Sequence, residues 1–91
     1  MFNHYMMRIM NINELNDCPD QLHDIISENV KRIRMEKKVS QLDLAQDMGL
    51  VGNGYITKSE NRKNNHHFSI EHIVKISKIL DVPIEEFFKG V

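Results

Sequence analysis

Five histidines and one cysteine are the side chains best suited to holding a metal ion in this 91-residue sequence. His66, His67 and His72 lie close together, with Cys18 as a distant fourth donor. A structural zinc site needs paired ligand motifs that converge on one point, and adjacent histidines rarely do so. The spacing therefore argues against a metal centre, and no cofactor is expected. Catalysis is equally unsupported. No serine, cysteine or carboxylate pair falls in a recognisable catalytic motif, and a helical domain of this size offers little pocket for a substrate.

What remains is charge. The formal net charge of −1 taken alone speaks against a polyanionic partner, but the distribution is uneven. Residues 11–29 carry Glu14, Asp17, Asp20, Asp24 and Glu28 with no lysine or arginine. Residues 30–38 carry Lys31, Arg32, Arg34, Lys37 and Lys38 against Glu36 alone, and residues 52–67 carry Lys58, Arg62 and Lys63 against Glu60, with His66 and His67 nearby. Two such segments supply the chemistry of phosphate contact. A solvated face is the plainer reading of either one.

Between and through them runs the stretch Ser40 to Lys63, which reads as two short helices joined by a glycine turn. The Ser40 hydroxyl is placed to accept a hydrogen bond from the N–H of Leu42 or Asp43 and so cap the first helix. Within it Leu44 and Met48 share a face beside the small Ala45, while Gln41, Asp43 and Gln46 point outward. Gly49 ends it, since glycine takes the left-handed backbone at little cost. Tyr55, Ile56 and Ser59 then return at helical spacing, leaving Asn53, Thr57, Lys58 and Arg62 around the remaining face. The set Gln41, Leu44, Ala45, Gly49, Ile56 and Glu60 resembles the helix-turn-helix of the phage repressor and Cro type of DNA-binding domain, the lambda repressor-like family. The resemblance runs from roughly Gln21 to Phe88. Two departures stand out: six residues, Leu50 to Tyr55, replace the family's usual five between Gly49 and Ile56, and Ser59 replaces a large apolar residue.

The resemblance implies an all-α, compact five-helix domain whose second short helix enters the major groove N-terminus first. Its base-reading positions are Asn53, Gly54, Tyr55, Thr57 and Lys58. Asn53 suits the two-pronged contact to adenine, Lys58 suits guanine, and Thr57 suits a base edge or a phosphate. Gly52 and Gly54 either allow close backbone approach or accommodate the extra turn residue. Gln41 matches a phosphate-touching position, and Arg62, Lys63, Asn64 and Asn65 follow as phosphate clamps, the two asparagines serving equally as turn residues. Arg34 matches the arginine that pairs with the glutamate closing the reading helix, here Glu60; the alternative puts Arg34 on a phosphate. The function so implied is a sequence-specific transcriptional regulator, a repressor or operon controller, bound to double-stranded DNA as a homodimer on a near-palindromic operator. The alternative is a protein-interaction module of the same fold, antitoxin or adaptor-like, that does not read DNA.

The rest of the chain divides into an arm and linker over residues 1–19 and the DNA-binding domain over 20–91. Phe2, Tyr5, Met6, Ile9 and Met10 repeat at the spacing of one helical face. They make either a frayed extension or a short added helix for dimer support or a protein partner. Asn11 to Pro19 reads as linker, and Pro19 or Asp20 opens the first domain helix, with Leu22, Ile25, Ile26, Val30 and Ile33 as its buried stripe. Ser69 caps a later helix whose Ile70, Ile73, Val74, Ile76, Ile79 and Leu80 are expected in the core. A last short helix, Ile84 to Lys89, carries Phe87 and Phe88. Two adjacent phenylalanines cannot both enter so thin a core, so at least one is expected at a dimer interface. A lone cysteine suits a reducing cytosol, no apolar run approaches membrane-spanning length, and a soluble, cytoplasmic protein is expected.

Overall fold

The computed structural model describes the backbone of residues 12–90 and the side chains of residues 20–90. Within them α1 spans Ile12–Glu36, α2 Gln41–Asp47, α3 Gly54–Glu60 and α4 Ile70–Leu80, with 3-10 segments at Lys63–Asn65 and Ile84–Phe88. The described residues hold no strand. The described residues are all-helical and hold four α-helices, and over the expected helix at Ile84–Lys89 they form a tighter 3-10 segment, Ile84–Phe88. The apolar pattern of Phe2, Tyr5, Met6, Ile9 and Met10 lies outside the described residues.

The first helix starts at Ile12, well ahead of the expected opening at Pro19 or Asp20. Polarity suggested a linker over 11–19, but polar residues do not oppose a helix. Pro19 has no N–H to give to the carbonyl of Leu15, so it costs the helix one bond without ending it. Cys18 falls within this helix.

One core joins the four α-helices and the C-terminal 3-10 segment. Ile26, Val30 and Ile33 of α1 meet Leu44, Ala45 and Met48 near α2, Ile56 of α3, Phe68, and Ile73, Ile76 and Leu80 of α4. Ile25, expected in the α1 stripe, is half-buried, as is Leu22. On α4 the buried positions fall at i, i+3 and i+7, a narrow stripe. Ile70 is 79% exposed and Val74 is also exposed, so the wide apolar face expected there is only partly core. Ser69 caps α4, its hydroxyl accepting from the His72 N–H at 3.2 Å.

Of the two adjacent phenylalanines, only Phe87 lies wholly in the core. It is fully buried within the single chain, and Phe88 is half-buried against the same core. The cause lies in α1, where the Asn29 amide donates to the carbonyls of Phe87 at 2.9 Å and Lys89 at 2.8 Å. Those two bonds pin the 3-10 segment to α1 and turn Phe87 inward. Burying a side chain of that size stabilises by roughly 1.5–3 kcal/mol.

Candidate nucleic-acid interface

The site is built on α2, α3 and the turn between them. Ser40 caps α2 by accepting from the Asp43 N–H at 2.9 Å. At its other end the Gly49 N–H donates to the Gln46 carbonyl at 3.0 Å and the Leu50 N–H to the Ala45 carbonyl at 2.9 Å. Gly49 carries φ +79 between them, which is the paired closure that a left-handed glycine gives a helix end. Ala45 is fully buried, and its small side chain leaves room for the two helices to pack. Gly52, at φ +69, then redirects the chain into α3.

Two helices, α1 and α2, hold α3 through one polar network. Arg34 of α1 donates from Nε to Glu60 Oε2 at 2.7 Å and from Nη2 to Glu60 Oε1 at 3.0 Å. Its Nη1 donates to the Val39 carbonyl at 2.8 Å. Gln41 of α2 adds a third donor to the Glu60 carboxylate at 3.1 Å, and its own amide oxygen accepts from Thr57 Oγ1 at 2.8 Å. Side-chain exposure of Arg34 and Glu60 is 8% and 0%. A two-pronged pair at this depth fixes orientation as well as position. Ser59, which stands where the family carries a large apolar residue, is also buried. Opposite it α1 presents Ser27, whose hydroxyl donates to the Ser59 carbonyl at 2.8 Å.

The sequence-predicted residues therefore separate into two groups. Asn53, Gly54 and Lys58 are exposed, and Lys58 makes no ion pair among the described residues. Lys63, Asn64 and Asn65 are exposed too, with Asn64 and Asn65 at positive φ of 53 and 64, a conformation asparagine tolerates better than most. The others are engaged inside the domain. Both ends of the Gln41 amide have internal partners, and Thr57 bonds to Gln41 and to the Asn53 carbonyl. The Tyr55 hydroxyl accepts from the Ser69 N–H at 3.0 Å, and its ring meets Phe68 and His72 edge-on. Tyr55 thus joins α3 to the start of α4.

Arg62 is drawn back to α1. Its Nε donates to Asp24 Oδ1 at 2.8 Å, Asp20 lies 3.7 Å from Nη2, and Nη1 donates to the His66 carbonyl. It does so from a left-handed backbone, φ 54. Beside it His23 and His67 stack with ring centroids 3.8 Å apart and planes 20° from parallel. Burial lowers the His23 pKa from its ordinary value, His67 and Arg62 lower it further, and Asp20 and Asp24 pull the other way. His23 had no signal in the sequence, because its neighbour His67 lies 44 positions away. Among the described residues no three metal-capable side chains come together.

This arrangement presents a short helix, anchored from behind, with amide and ammonium groups free at its start and middle. The described helices include none long and apolar enough to cross a membrane. Comparison with curated proteins and with solved structures gives no match. The sequence pattern of the Helix-turn-helix family matches residues 30–87, from the last two turns of α1 to the C-terminal 3-10 segment. That match covers well over half of the chain and encloses the whole network around Glu60. The chain belongs to the helix-turn-helix family of the phage repressor and Cro type, and so to a family of DNA-binding regulators.

Proposed function

We propose that this protein is a sequence-specific transcriptional regulator, of the repressor or operon-controller kind, that binds a near-palindromic operator as a homodimer. The observation that carries the reading is the anchoring of α3 by Arg34, Gln41 and Glu60 while Asn53, Gly54 and Lys58 remain exposed. In this reading α3 enters the major groove by its N-terminal end. Asn53 pairs with adenine N6 and N7, and Lys58 reaches guanine O6 or N7. Lys63, Asn64 and Asn65 hold phosphates. Gln41, Tyr55, Thr57 and Arg62 serve first to position the reading helix and the loop after it. With Phe87 in the core, the pairing surface shifts to half-buried Phe88 and the exposed Val74 and Ile84. Two subunits so paired would read half-sites about 10 bp apart, or a multiple of that.

The test is selection of random duplex DNA by the purified protein at moderate salt, followed by sequencing. The expected result is a near-palindrome whose affinity falls with salt at a log-log slope of about −0.9 per neutralised phosphate. Recovery of no motif by a folded protein overturns the operator reading and moves the assignment to a protein-interaction module.

A further inference from the structure

Val51 is fully exposed, more so than any other large apolar side chain among the described residues. It stands in the turn between α2 and α3, three positions ahead of Gly54, where α3 starts. One residue before it, Leu50 packs against the core and its N–H is bonded to the Ala45 carbonyl. One residue after it, Gly52 takes the left-handed turn. The backbone is therefore held on one side of Val51 and redirected on the other. Around the start of α3 the surface is bare: a Cβ added at Gly52 or Gly54 would meet nothing within 4 Å. An isopropyl group stands out there two positions before exposed Asn53, giving the fold none of the stabilisation that its burial would bring.

We infer that Val51 reads the methyl group of a thymine in each half-site. The inference rests on the operator reading above, in which the N-terminal end of α3 enters the major groove. An isopropyl group neither donates nor accepts a hydrogen bond, so phosphates and the nitrogen and oxygen atoms of base edges offer it nothing. The C5 methyl of thymine is the apolar feature of the major-groove edge. Val51 thus adds a thymine preference next to the position addressed by Asn53.

The experiment replaces each thymine of the selected half-site, one at a time, with deoxyuridine, which lacks only that methyl. Affinities are measured for the wild-type protein and for Val51→Ala. Losing one methyl contact of ~0.8 kcal/mol corresponds to about a fourfold loss of affinity. The expected result is one thymine per half-site at which deoxyuridine costs the wild-type protein about fourfold and costs Val51→Ala nothing. Melting temperature and salt slope should be the same for both proteins. Equal losses for the two proteins at every position, or no loss at any, overturn the role of Val51 while leaving the operator intact. Failure of the wild-type protein to select any motif overturns the operator reading and this inference with it.

Discussion

Replacing Arg34 with alanine tests how α3 is held. The Glu60 carboxylate is buried and accepts three hydrogen bonds, two from Arg34 and one from Gln41. Arg34→Ala removes two of the three and leaves a buried negative charge facing a single neutral donor. Removing one partner of a buried pair typically costs about 3–5 kcal/mol. A domain of this length has a total stability of roughly 5–14 kcal/mol, so the loss is a large fraction of it. At about 4–8 °C per kcal/mol the melting temperature should fall by at least ~12 °C. Circular dichroism melts and urea titrations at neutral pH would measure it, the urea midpoint moving while the slope stays constant. The double variant Arg34→Met, Glu60→Leu removes both charges and should regain much of the loss, since apolar replacements of buried pairs are often near neutral. Arg34→Ala melting within about 3 °C of wild type would refute the reasoning, because the pair would then contribute no more than an exposed one.

Other expectations follow from the same structure. Lys58→Ala should relax base preference at one operator position, whereas Lys63→Ala should weaken all sequences alike and reduce the salt slope by about 1; equal losses on selected and random DNA for Lys58→Ala would remove its base-reading role. Gly54→Ala, in open space within a helix, should raise stability by up to ~1 kcal/mol, while Gly52→Ala, at φ +69, should lower it by roughly 1 kcal/mol; paired thermal melts check the opposite signs. Because the folded state lowers the His23 pKa from 6.5, it favours the neutral ring and the unfolded chain binds more protons below that value. Stability should be fully present above that pH and be lost as pH falls through the lower folded pKa. His23→Phe should flatten that dependence in melts recorded across the acid range.

The parts of the fold that were legible in the sequence are those set by short-range physics. Ser40 and Ser69 cap their helices through bonds three residues long, and Gly49 ends α2 with a positive φ that its type allows. Period alone also places Ile26, Val30 and Ile33 on one buried face. Period does not say how wide a face its neighbours will cover, which is why Ile70 and Val74 are outside. The inward turn of Phe87 depends on Asn29, 58 positions away, and the withdrawal of Arg62 depends on Asp24, 38 positions away. No local spacing carries either contact. The meeting of Arg34 with Glu60 follows from the family resemblance, not from periodicity, and the bond from the Ser27 hydroxyl to the Ser59 carbonyl, 32 positions on, leaves no trace in local spacing.

The polar network under α3 draws on Arg34, Gln41, Thr57 and Glu60, and none of the exposed residues Val51, Asn53 and Lys58 contributes a side chain to it. Support and presentation are thereby assigned to different positions of the same seven-residue helix and its turn. Randomising residues 51, 53 and 58 together should yield a collection of proteins with varied partners and nearly constant melting temperatures. A chain divided in this way can drift from one target to another in single steps without passing through unfolded intermediates.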